Sequence, residues 1–223
     1  MMTLARDTGN VGIGTASPAS ELQVEHAGGG GLTLKTSGGG NFARFTRMAS
    51  GDTTNGDWSL EHSSKALVFK TNAASGSYAS PSWINAMSIN SAGIVTKPYQ
   101  PAAVAYSMPD SNNGTLVYST EKFDNAGNMN LTNGRFTCPV AGVYSVSISG
   151  FYNSGRSNNG DVAIRVNNSL YVRASYSNES TSNYVAITGV SLVKVAANDY
   201  ITIFTEGDMH GSDASVFSVH LVG

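Results

Sequence analysis

Gly134-Arg135-Phe136-Thr137-Cys138-Pro139-Val140-Ala141-Gly142-Val143-Tyr144 decides how this chain folds. Phe136 and Cys138 alternate with Arg135 and Thr137, the period of a half-buried strand. Pro139 has no N–H for a sheet ladder and closes that strand. Gly142 is expected to take backbone angles that a side chain resists. A second strand then carries Tyr144, Val146 and Ile148 on one face and Ser145, Ser147 and Ser149 on the other. Working outward, short strands are predicted at Ala103 to Met108, Leu116 to Ser119, Val162 to Val166, Leu170 to Ala174, Tyr184 to Val195, Tyr200 to Thr205 and Val216 to Val222. Turn signals separate them at Asp124 to Asn128, Asn167-Asn168 and Ala197-Asn198-Asp199. Eight to ten strands at this spacing make a β-sandwich or jelly roll. The 184 to 195 stretch is apolar on both faces, as in a core strand or a subunit contact.

Composition narrows the function. Charged residues are 13% of the 223, with net charge −2, so nothing steers the chain to nucleic acid or to an anionic membrane. Much Gly, Ser, Asn and Thr suits an all-β chain with many turns. Cys138 is the one cysteine, which forbids an intrachain disulfide and a cysteine-rich metal site, and it is expected to pack as a small hydrophobe. No apolar run is long enough to span a bilayer, and Met1 to Asp7 lacks the apolar core of a secretory leader. A virion component released by lysis would need neither.

Before the sandwich the chain reads differently. Lys97-Pro98-Tyr99-Gln100-Pro101 is the expected boundary, dividing residues 1–97 from 98–223. In the first part, Gly9, Gly12 and Gly14 flank Val11 and Ile13, with Pro18 following. So few side chains cannot build a core alone, whereas small residues let strands from three copies approach one axis. Gly28 to Gly31 and Gly38 to Gly40 flank a short strand pattern at Leu32 to Thr36 and are expected to be turns. Strand patterns continue at Asp57-Trp58-Ser59-Leu60, Ala66-Leu67-Val68-Phe69 and Ala86-Met87-Ser88-Ile89.

Two resemblances bear on this division. Gly9 to Thr15 with Pro18, Leu22 and Val24 resembles the G-N-V-G-I-G-T-x-x-P…L-x-V element of bacteriophage tail-fibre and tail-spike stalks, and the W-x-L, L-x-F and A-M-x-I strands resemble the repeat unit of the same fibres. Gly93-Ile94-Val95 echoes Gly9-Asn10-Val11 without the paired glycines. The run Gly134 to Tyr144 resembles the core signature of complement component one, q-type, globular heads, which share the tumour necrosis factor jelly roll. Val190 to Ile201 and Phe217 to Val222 fit that family's later strands, with Asn198 and Val219 where it has Gly. The resemblances imply an all-β chain: an N-terminal intertwined β-stalk followed by a C-terminal jelly-roll β-sandwich. They also imply a homotrimer, with Phe136, Tyr144 and Phe217 in the core or at the trimer contact.

Chemistry is sparse. His26, His62, His210 and His220 show no metal-ligand spacing, and no nucleophile–base pattern or paired carboxylates appear, so binding rather than catalysis is expected. Glu206, Asp208 and Asp213 form the one acidic cluster, read either as a solvated hairpin loop or as oxygen ligands for Ca2+, which some members of the resembling family bind. Two loops rich in Tyr, Asn and Ser place Tyr152, Arg156, Tyr176 and Tyr184 as receptor-contacting residues, with ordinary polar turns as the competing reading. Taken together, the expectation is a homotrimeric fibre or spike of a tailed bacteriophage virion. Its stalk would meet other virion proteins and its head a host-surface glycan or protein. A capsid-decorating head fibre, a bacterial surface adhesin and a glycan-degrading spike are the alternatives.

Overall fold

The computed structural model describes residues 2–5, 9–24, 44–47, 57–63, 65–72, 83–110, 113–154, 160–177, 182–211, 213 and 215–222. Every regular element among them is a strand. They fall into two compact units, Met1–Thr96 and Lys97–Gly223.

In the first unit, β1 (Met2–Leu4), β2 (Val11–Ile13) and β3 (Leu22–Val24) form a small sheet, with β1 antiparallel and β3 parallel to β2. Gly9 and Gly14 take positive φ at the ends of β2. Gly12 is buried, and a Cβ there would lie 2.7 Å from the Thr15 carbonyl oxygen and 3.4 Å from Pro18. The close approach it permits is therefore to its own chain's 15–18 turn. A second, antiparallel sheet runs in chain order through β4 (Arg44–Arg47), β5 (Asp57–Ser63), β6 (Ala66–Asn72), β7 (Ile84–Asn90) and β8 (Val95–Thr96). The predicted strand at 32–36 and its glycine clusters lie outside the described residues.

The second unit holds β9 (Ala102–Tyr106), β10 (Gly114–Thr115), β11 (Thr120–Asp124), β12 (Met129–Asn130), β13 (Arg135–Thr137), β14 (Gly142–Tyr152), β15 (Gly160–Val166), β16 (Ser169–Ser177), β17 (Val185–Val195), β18 (Tyr200–Thr205) and β19 (Val216–Leu221). One antiparallel sheet has the order β11-β9-β19-β14-β17. The other has the order β12-β13-β18-β15-β16, with β10 also on β18. This is a jelly-roll sandwich. Its core lies between the sheets, where Tyr118, Phe136, Tyr144, Ile148, Ile164, Ile201, Ile203 and Phe217 are all buried. Each such side chain contributes about 1.5–3 kcal/mol on burial.

The deciding stretch closes one corner of that core. Phe136 meets Tyr144 edge-on at 6.0 Å, and Tyr144 Oη donates to the Val140 carbonyl across the Pro139 turn. The demanding backbone belongs to Gly134, not Gly142. Gly134 has φ +68°, and a Cβ there would sit 2.1 Å from the Leu116 carbonyl oxygen, whereas Gly142 simply opens β14. The predicted strand at Leu116 to Ser119 is also corrected. Leu116 and Tyr118 turn into the core, while the segment leaves the ladder between β10 and β11. Its alternating burial imitates a strand, although its backbone bonds among the described residues are single ones, Leu116 N to the Ile203 carbonyl and Ser119 N to the Ser107 carbonyl, and not a ladder. The strand lies just beyond, at Thr120–Asp124, where one mostly exposed, charged edge hides it from pattern reading.

Candidate functional site

Strand register gives the head two unlike ends. The chain enters it at Lys97–Pro101, where Leu221 N donates to the Pro101 carbonyl and Gln100 Nε2 donates to the Leu221 carbonyl. Short turns crowd that end: Asn167 and Asn168 take φ +50° and +65° between β15 and β16, and Asp199 ties the β17–β18 turn to them. Asn167 Nδ2 donates to Asp199 Oδ1 and Ala196 N donates to Asp199 Oδ2, and these bonds hold its carboxyl below the ordinary value. At the opposite end finish the strands that lead into the connections after Tyr106, Tyr152, Ser177 and Thr205, since Tyr106 pairs with Val216, Tyr152 with Val185, Gly160 with Ser177 and Val162 with Thr205. Those connections are longer, so this is where recognition side chains can stand free of the ladders.

A polar cluster is built at that loop end. Asn153 N donates to the Asp208 carbonyl and His210 N to the Phe151 carbonyl, which pins the 206–211 segment along the end of β14. His210 Nδ1 is then 3.0 Å from Asn153 Oδ1 and 3.6 Å from Asp110 Oδ1. Asp110 Oδ1 also accepts the Gly211 N–H. Gly211 allows this approach, because a Cβ there would lie 2.3 Å from the Asp110 nitrogen. The Tyr184 ring lies against the imidazole with centroids 4.5 Å apart, and Tyr184 is 54% exposed.

The sequence-predicted residues divide sharply here. Tyr184 stands in this cluster, and Tyr176 is exposed near the end of β16. Tyr152 is corrected: it is fully buried in the core as the last residue of β14, because strand alternation continues through it, so it offers no receptor surface. Arg156 lies outside the described residues. Glu206, Asp208 and Asp213 are not gathered into a ligand set; among the described residues no three His, Cys, Asp or Glu side chains converge as a metal site requires. Gly207 instead turns the chain, its N–H bonding Thr205 Oγ1, which donates back to the Gly207 carbonyl. Phe136, Tyr144 and Phe217 are buried between the sheets of one chain, so the core takes them and a trimer contact does not. Asp110, Asn153 and His210 are site residues that the sequence pattern does not reveal. Their partners lie far apart in sequence, and the only local signal was the turn chemistry around each.

Exposed apolar faces form the second candidate feature. Side chains at paired positions share a sheet face. In the five-stranded N-terminal sheet, Leu60, Phe69 and Met87 form one row and Leu67, Ile89 and Val95 another, with Trp58 beside them. None of these is buried, and Trp58 is 48% exposed. In the small sheet, Met2, Ile13 and Val24 pair across the strands, as do Leu4, Val11 and Leu22, which makes one face wholly apolar. In the head, the outer face of the β14 sheet carries Leu192, Ser145, His220 and Ala102 in one row and Val190, Ser147, Ser218, Val104 and Phe123 in the next. Val190 and Leu192 are 67% and 61% exposed. The outer face of the other sheet is covered differently. Arg165 lies over the Phe204 ring at 3.3 Å, Arg135 over Tyr200 at 4.1 Å, and Arg173 pairs with Asp161.

No family model and no curated protein matches the chain. Solved structures do. The globular domain of zebrafish complement 1qA protein is similar over 56% of this chain and 98% of that one, with 17% identity and a TM-score of 0.44. Murine APRIL is similar over 55% of this chain and 99% of that one, with 7% identity and a TM-score of 0.44.

Proposed function

We propose that this chain is the homotrimeric fibre or spike of a tailed bacteriophage virion, and that its head adheres to the host surface through the loops at one end. One observation carries the assembly: Trp58, Leu60, Leu67, Phe69, Met87, Ile89 and Val95 share one sheet face, yet none of these seven apolar residues is buried within one chain. An open face of this kind marks an interaction surface. Three identical sheets turned inward about an axis would bury it, while the opposite face already has Ser59 and Val68 buried within one chain. The bare β14-sheet face in the head supports the same symmetry. The stalk-type sequence of Gly9, Gly12, Gly14 and Pro18 supports the virion setting.

Adhesion follows from position. The chain enters the head at one end, and the strands that lead into its longer connections finish at the other. Three copies of a weak site on one fibre act at high effective concentration on a cell surface, so avidity exceeds the affinity of each site. Binding, not bond-breaking, is the proposed mechanism. Gold-labelled antibody against the chain is expected to decorate the tail of intact virions in negative-stain images. Label confined to the capsid would transfer the fibre to the shell, and unlabelled particles would contradict the virion role.

A further inference from the structure

The cluster of Tyr184, His210, Asn153 and Asp110 has a defined hydrogen-bonding polarity. Asn153 Nδ2 donates to the Met209 carbonyl, which fixes its Oδ1 as the atom facing His210 Nδ1. Asp110 Oδ1, an acceptor, stands on the same side. With two acceptors facing it, Nδ1 carries the proton, and Nε2 is left as an acceptor on the far edge of the ring. The imidazole is therefore oriented by its own chain, with no hydrogen bond to its second nitrogen among the described residues. Beside it stands the exposed Tyr184 ring, which offers an apolar face with a hydroxyl at its tip. The Asp110 side chain is 71% exposed and brings carboxylate oxygen to the same spot.

An aromatic face flanked by fixed, planar acceptors suits a sugar ring. The C–H face of a pyranose packs on the aromatic ring, and its hydroxyls donate to imidazole and carboxylate. Charge selects the class of sugar. The charged side chains described on the segments that build the cluster, 107–110 and 206–213, are Asp110, Glu206, Asp208 and Asp213, all carboxylates, which repel an acidic saccharide, while Lys122 is set apart over the Tyr106 ring and Arg173 is paired with Asp161. We propose that Tyr184, His210 and Asp110 form a subsite for a neutral saccharide, with Asn153 as the positioning residue for His210. The proposal rests on the adhesive function above and names its ligand class.

The full-length chain is tested on an array of neutral hexose and N-acetylhexosamine oligosaccharides beside uronic- and sialic-acid ones, and in parallel on host cells. Binding to neutral members only is expected. Tyr184→Ala should weaken it at least roughly tenfold, while Tyr184→Phe, which keeps the ring, should retain most of it. Asp110→Asn should weaken it by several fold, and Leu170→Ala, exposed at the other end, should leave it unchanged. Equal binding by wild type and Tyr184→Ala overturns the subsite, as does a preference for acidic sugars. Binding to cells without binding to any saccharide also overturns it, pointing to a protein receptor while adhesion stands. Binding to neither overturns both.

Discussion

The head buries its large apolar side chains between two sheets of its own, whereas the N-terminal unit displays them on open faces of single sheets. In the head, Phe136, Tyr144, Ile148, Ile201 and Phe217 are all covered within one chain. In the N-terminal unit, Val68 is the one large apolar side chain buried among the described residues, while Trp58, Leu67 and Phe69 stand exposed on the other face of its sheet. Both units satisfy backbone hydrogen bonds by pairing strands, so the difference lies in the second layer. A sheet is stable when its apolar face is covered. The head supplies its own cover, and the N-terminal unit must obtain it from outside the described sheet.

The largest expected effect comes from separating the two. Residues 97–223 alone should give a cooperative thermal transition by circular dichroism. Residues 1–96, at a concentration too low for association, should lose strand signal; a folded, monomeric 1–96 fragment would erase the contrast. Next come changes inside the head. Phe217→Ala should cost about 3–5 kcal/mol, read as a lowered denaturation midpoint. Gly134→Ala should cost on the order of 3 kcal/mol, because the new Cβ meets the Leu116 carbonyl and the residue sits at φ +68°. Neither substitution should act on the N-terminal unit.

Smaller effects sharpen the picture of a sealed core. Burial pushes the Cys138 thiol up to about 12, with the Asp199 charge adding to it. Iodoacetamide at pH 8 should therefore label Cys138 only when the head unfolds. Because the folded thiol keeps its proton above the ordinary value of 9.0, its contribution to stability is present below pH 9 and lost as pH rises toward 12. Tyr118 and Tyr144, both raised by burial, act with the same sign, so the melting temperature should fall through the alkaline range. The smallest effect is at Asp199, whose folded carboxyl lies below 3.8. Its bonds to Asn167 and Ala196 stabilise the turn above that pH and are lost as pH falls through the lowered value. Asp199→Asn should lower the melting temperature slightly at pH 7 and leave it unchanged in strong acid.

Much of the head was legible because its strands alternate. Val162 to Val166, Tyr200 to Thr205 and Val216 to Leu221 were readable from period two alone, and Asn167-Asn168 announced its turn. The same rule misled where alternation outlasted the ladder. Leu116 and Tyr118 alternate in burial without a strand, and Tyr152 continues the inward series of β14 although a polar loop follows it. The loop-end cluster was not legible because Asp110 and His210 are joined only by the folded register of β9 and β19. Apolar residues on both faces of β17 did signal that Val190 and Leu192 face something other than the core. Which surface covers them depends on other molecules, and a single sequence carries no register for those.

Sedimentation equilibrium on the intact chain beside its Trp58→Ser/Phe69→Ser variant tests the central claim most directly. Wild type should sediment at three times the chain mass. The variant should shift toward the monomer while the thermal transition of its head stays in place. A wild-type chain that remains a monomer with its N-terminal strands intact would contradict the claim that the open apolar faces are closed by copies of the same chain.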